Sequence, residues 1–169
     1  WHLGWEWPLQ SGDPTDIDFS RPIGRGPTTR GFDHFFGIVA SLDFPPYVYV
    51  EDDTPTALPD RVTKDEGKRF WREGPTGADF VHEDVLPTFT RKACAFIHEQ
   101  AAADRPFFLY FPLPSPHTPI LPTERFLGAS GTNEYGDFCL LTDDCVGQVM
   151  QALDDAGVAD NTVLVFTSD

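Results

Sequence analysis

Two apolar runs constrain this chain more than anything else in it. FFLYF (residues 107–111) and TVLVFTSD (residues 162–169) each follow a stretch with helical periodicity. A short, continuous apolar run predicts a strand buried on both faces, because an alternating pattern would leave one face for water. Helices must then cover those faces. The order helix–strand–loop–helix–strand therefore predicts an α/β fold with a largely parallel sheet. In such sheets ligands gather beyond the carboxyl ends of the strands. That directs attention to the loop after Phe111 and to Ser168 and Asp169.

The helical signals are specific. Asp84 is placed to cap a helix, and Pro87 suits a first turn, where its missing N–H is not needed. Phe89, Ala93, Phe96 and Ile97 then share one face, and Arg105-Pro106 ends the element. A second helix is predicted from about Tyr135 to Ala156, with Phe138, Leu141, Cys145, Val149 and Leu153 as its apolar stripe. Gly157 terminates it in the left-handed conformation. Upstream, YVYV (residues 47–50) is β-like. Residues 51–77 are polar and turn-rich and are expected to wander over the surface.

Charge excludes some partners. Against 12 Lys and Arg stand 27 Asp and Glu, a formal net charge of −15 in 169 residues. A nucleic-acid binder needs a basic footprint, and none is visible. No apolar run reaches the length of a membrane span. Cys94, Cys139 and Cys145 form no C-x-x-C pair and read as small hydrophobes rather than zinc ligands.

Four residues stand out for chemistry. His117 lies between Pro116 and Pro119 in a loop leaving an apolar run, where a fixed imidazole could serve as acid or base. A loop histidine without a role fits its position equally well. Asp169 ends an apolar run and could offer oxygen to a hard cation, although a turn or cap aspartate reads the same way. His2 lies among Trp1, Trp5 and Trp7, which by itself favours a histidine buried in an aromatic cluster. Ser41 has no base beside it in sequence, so it is not a nucleophile candidate. His34, His82 and His98 lack a comparable setting, and His98 falls on the polar side of a helix.

Four segments together resemble one family. W-H-L-G (residues 1–4) resembles the back half of the G-K-W-H-L-G signature of formylglycine-dependent sulfatases. GFDHFFGIVASLD (residues 31–43) resembles G-F-D-x-F-x-G-I-x-x-S-x-D of the arylsulfatase A and galactosamine-6-sulfatase group. PFFLYFPLPSPHTP (residues 106–119) is similar to that group's P-F-F-L-Y-x-x-x-x-x-P-H-x-P. DDCVGQVMQALDDAGVADNTVLVFTSD (residues 143–169) is similar to its D-x-x-V-G segment, which closes on F-T-S-D-N-G. The four occur in order through nearly the whole chain.

The resemblance implies an alkaline-phosphatase-like sandwich, incomplete here, with residues 1–169 as part of a catalytic domain. It implies hydrolysis of sulfate esters on a sulfated small molecule or carbohydrate, in an extracytoplasmic setting. His2 matches a histidine that contacts the formylglycine hydrate and helps release sulfate. His117 matches one that touches the sulfate and the leaving oxygen. Ser41 matches a serine near the bound sulfate. Asp169 matches a carboxylate ligand of a divalent cation, Ca2+ before Mg2+. The nucleophile of that family derives from C-x-P-S-R or C-x-A-x-R, and none of the three cysteines has that setting. It is therefore expected outside these residues, and the segment alone is expected to be inactive and to fold poorly. Two alternatives stay open: a phosphatase or phosphonate hydrolase of the alkaline-phosphatase superfamily, and a non-catalytic sulfatase-like remnant.

Overall fold

The computed structural model describes residues 4–103 and 105–167. Two long helices, α1 (Val85–Ala102) and α2 (Glu134–Asp155), pack side by side. Their contact is the apolar stripe read from the sequence. Ala93 and Ile97 of α1 meet Val149, Ala152 and Leu153 of α2. Further toward the start of each helix, Phe89 meets Phe138, Leu141 and Cys145 in the main core. The larger of these side chains, such as Ile97, Leu141, Leu153 and Phe138, each stabilise the fold by about 1.5–3 kcal/mol when fully buried.

The helix ends follow local chemistry. Asn133 caps α2, its side-chain oxygen accepting from Gly136 N–H at 3.0 Å. Buried Asp137 in the first turn accepts from the N–H groups of Gly128 (2.8 Å) and Ser130 (2.9 Å), which fixes the preceding loop onto the helix. Hydrogen bonds, first those from Ser130, hold its carboxyl below the ordinary aspartate value. Gly157 has φ 70°, the left-handed turn expected after the helix. Asp84 occupies the N-cap position of α1 but accepts no capping hydrogen bond through its side chain.

The β structure is antiparallel and small. Strands β1 (Phe36–Gly37), β2 (Val50–Glu51) and β3 (Thr54–Pro55) form one sheet in that order. Within the YVYV run all four side chains are buried, although only Val50 lies in a strand. The polar stretch expected to wander is instead largely a hairpin of β4 (Pro59–Asp65) and β5 (Trp71–Gly77). A parallel bridge from Tyr47 to Thr76 joins the hairpin to the rest.

Neither apolar run is paired as a strand among the described residues. In residues 107–111 burial alternates. Phe107, Leu109 and Phe111 rest on the helices, while Phe108 and Tyr110 are 76% and 58% exposed. Val163, Val165 and Phe166 are also largely exposed. Burial on a second face needs neighbouring strands, and the described residues do not supply them.

Candidate active site

Residues 41–44 form a tight turn closed by Phe44 N–H on the Ser41 carbonyl at 3.2 Å. Leu42, 1% exposed, anchors the turn in the main core. Ser41 and Asp43, on either side of it, stay partly accessible. The Ser41 hydroxyl donates a short hydrogen bond to Asp43 Oδ1.

The other carboxylate oxygen belongs to Arg72 on β5. Arg72 Nη1 donates to Asp43 Oδ2 at 2.5 Å and to the Asp43 carbonyl at 3.0 Å. The Arg72 backbone N–H donates to that same carbonyl at 3.3 Å. The guanidinium lies 4.9 Å from the Phe44 ring and 5.7 Å from the Phe70 ring, within cation–π range of both. Burial alone would raise the Asp43 carboxyl, but the Ser41 hydroxyl and the Arg72 guanidinium outweigh it and hold it below its ordinary value. Tyr47 supports the arrangement from beneath, its hydroxyl donating to the Arg72 carbonyl at 2.7 Å.

His82 secures the turn from the other side. It is 4% exposed. Its ring stacks on Trp71 at 3.8 Å and 13°, and meets Tyr47 and Phe80 edge-on. The Leu42 carbonyl acts on the ring in the direction that favours its protonated form. Burial, with Arg61 and Arg69 nearby, lowers its pKa to about 4, so it is neutral at pH 7. Nε2 has no hydrogen-bond partner. Sequence reasoning passed over both His82 and Arg72. Nothing near either in sequence signals a role, because the turn they serve, at Leu42 and Asp43, lies 29 or more positions away.

His117 is exposed, as its loop position suggests. Its Nδ1–H donates to the Thr118 carbonyl at 2.5 Å, which leaves Nε2 as the nitrogen able to take or give a proton. The loop is held at several points. Thr142 of α2 donates to Ser115 at 2.8 Å, Ile120 N–H donates to the Lys68 carbonyl at 2.9 Å, and Leu121 is buried. A cleft of about 310 Å³ lies beside it, lined by Pro116, Cys139, Thr142, Asp143, Val146 and Phe166. His117 thus hangs on the same core as the Ser41 turn without joining its hydrogen-bonded cluster.

His2 and Asp169 lie outside the described residues. Among the described residues no three His, Cys, Asp or Glu side chains are grouped to hold a metal ion, so these residues do not make a cation site by themselves. All three cysteines sit within helices, and burial pushes the thiols of Cys94 and Cys145 up, away from nucleophilic character.

A sulfatase family model matches residues 1–169. The chain belongs to the sulfatase family. This sulfatase chain is 30% identical to the N-acetylgalactosamine-6-O-sulfatase of Bacteroides thetaiotaomicron, covering 100% of the chain and 38% of that relative. It is 32% identical to the N-acetylgalactosamine-6-sulfatase of Mus musculus over 85% of the chain and 27% of the relative. With human arylsulfatase A it shares 35% identity over 50% of the chain and 17% of the relative. A solved sulfatase structure from Bacteroides thetaiotaomicron, described in the context of glycosaminoglycan metabolism, superposes with TM-score 0.78 at 28% identity. It covers 96% of this chain and 39% of that one. The fold is therefore an incomplete α/β sulfatase fold, and the chain spans less than two fifths of these relatives. In an α/β sheet the two apolar runs would need strand neighbours that the described residues do not contain.

Proposed function

We propose that the protein carrying these 169 residues hydrolyses sulfate esters, with a sulfated carbohydrate as substrate, in an extracytoplasmic compartment. The observation that carries this reading is the sulfatase match along the entire chain. The full-length alignment to an N-acetylgalactosamine-6-O-sulfatase supports a 6-sulfated amino sugar as the first substrate to test. Residues 1–169 are then part of the catalytic domain. No helix among the described residues is long and apolar enough to cross a membrane.

In this reading His117 is the proton donor to the leaving oxygen. With Nδ1 committed to the Thr118 carbonyl, the exposed Nε2 carries the transferable proton. The held loop keeps the ring in one place while the ester bond breaks. His2 takes part as the base that releases sulfate, and Ser41 borders the bound substrate. Asp169 would supply one carboxylate to a divalent cation, with Ca2+ favoured over Mg2+. The formylglycine that the family implies lies outside these residues and would supply the attacking oxygen. A sulfate ester gathers charge on its oxygens as it cleaves, so a cation and fixed donors act most strongly at that point.

The test uses the full-length protein with 4-nitrophenyl sulfate, N-acetylgalactosamine 6-sulfate and 4-nitrophenyl phosphate. Sulfate hydrolysis well above phosphate hydrolysis is expected. His117→Ala should lower kcat by about 10²–10⁴-fold, the usual worth of a general acid or base. Preference for the phosphate ester would favour a phosphatase, and inertness toward all three esters would favour a non-catalytic protein.

A further inference from the structure

The loop that carries His117 is gripped on both sides of the ring, by two different elements. Before the ring, the Thr142 hydroxyl of α2 bonds Ser115 Oγ at 2.8 Å. The same hydroxyl lies 2.9 Å from the Phe138 carbonyl, one turn back in α2, so this grip is tied to the helix backbone. After the ring, Ile120 N–H donates to the Lys68 carbonyl at 2.9 Å. Lys68 lies in the tip of the β4–β5 hairpin, at Gly67–Arg69. The tip has anchors of its own. Lys68 Nζ pairs with Glu134 in the first turn of α2 at 3.1 Å, and Arg69 pairs with Asp65 and with Glu83.

Between the two grips the chain has little freedom. Pro116 and Pro119 each fix φ, and Pro119 is buried. The His117 ring is turned by its own bond from Nδ1 to the Thr118 carbonyl. Holding Ser115 and Ile120 therefore holds the imidazole. The side chains that do this are unequal. Lys68 and Glu134 are well exposed, and so exposed an ion pair holds weakly. Thr142 and Ser115 are half-buried, which limits the water that competes for their bond. Thr142 also walls the cleft beside the loop, together with Pro116 and Phe166.

We propose that Thr142 is a positioning residue for His117, holding the ring so that the proton on Nε2 passes to the leaving oxygen as its bond to sulfur breaks. This rests on the reading of His117 as proton donor given above. A sugar alkoxide is a poor leaving group and needs that proton, whereas 4-nitrophenolate is stable enough to leave without it. A displaced ring therefore slows the sugar ester and spares the aryl ester. A general weakening of the fold slows both alike.

The test measures kcat and KM of the full-length protein on N-acetylgalactosamine 6-sulfate and on 4-nitrophenyl sulfate. Thr142→Val keeps the shape of the side chain and loses the hydroxyl, and Thr142→Ser keeps the hydroxyl. The ratio of kcat for the sugar ester to kcat for the aryl ester should fall about tenfold in Thr142→Val and stay near the wild-type ratio in Thr142→Ser. KM should hold, because the proton moves only in the transition state. Added to His117→Ala, Thr142→Val should cost nothing further, since it acts through that ring. Where His117→Ala by itself lowers the ratio, an unchanged ratio in Thr142→Val or a further fall in the double variant overturns this inference alone. So does a wild type that cleaves only the aryl ester, since a site that needs no proton donor has no use for a positioned one. If His117→Ala leaves the ratio unchanged, the role given to His117 falls and this inference with it. A wild type inert toward both sulfates overturns the sulfatase reading, and this inference with it.

Discussion

Replacing His82 by Phe should flatten the acid side of the stability profile. The folded chain holds His82 neutral, with a pKa lowered to about 4 from an ordinary 6.5. Burial among Trp71, Tyr47 and Phe80 is the main cause, and Arg61 and Arg69 add to it. Asp65 and the Leu42 carbonyl work in the opposite direction. Below pH 6.5 the unfolded chain binds a proton that the folded chain refuses. The contribution of His82 is therefore fully present above pH 6.5 and is lost as pH falls toward 4. The gap is about 2.5 pH units, which corresponds to roughly 3 kcal/mol of lost stability. That is a large share of the ~5–15 kcal/mol of a typical domain. Phe keeps the stack on Trp71 but carries no titratable nitrogen, so the variant lacks this pH-dependent contribution. Urea unfolding of the full-length protein at pH 7, 6, 5 and 4 checks this. The stability of wild type relative to His82→Phe should fall by about 3 kcal/mol over that range. A difference that stays constant from pH 7 to 4 would refute the reasoning, since the ring would then be protonated as easily folded as unfolded.

Other consequences are open to measurement. Leu42→Ala empties a fully buried position beneath the Ser41 turn and should cost about 2–5 kcal/mol in urea unfolding. It should also lower sugar-sulfate turnover, because the turn loses its anchor. Asp137→Asn halves the acceptors facing Gly128 and Ser130, so the loop before α2 should exchange its amide protons faster. The folded pKa of Asp137 is lowered, so its contribution is present above the unfolded value and is lost as pH falls through the folded one. The acid slope should therefore be shallower in the variant. The 169-residue segment expressed by itself should melt without cooperativity and bind a hydrophobic dye, given the exposed Phe108, Val163, Val165 and Phe166. A sharp calorimetric transition would contradict that.

What the sequence determined is local and periodic. The stripes of α1 and α2, the Gly157 stop and the exposed His117 loop follow from spacing and turn chemistry, and they hold in the structure. The family signatures, too, are contiguous strings that can be read without a fold. The hairpin of β4 and β5 was hidden because one of its faces meets solvent, so its composition reads as a polar excursion. The apolar runs of residues 107–111 and 162–167 signal strands, but a strand's pairing is decided by neighbours distant in sequence. Only the tertiary structure brings Arg72 to Asp43 across 29 positions and seats His82 under Leu42. Ser41 was visible in its motif, but whether it gives or accepts a hydrogen bond was not. That depends on an ionised carboxylate two residues on and an arginine from the far side of a hairpin, and a sequence records neither their distance nor their charge state.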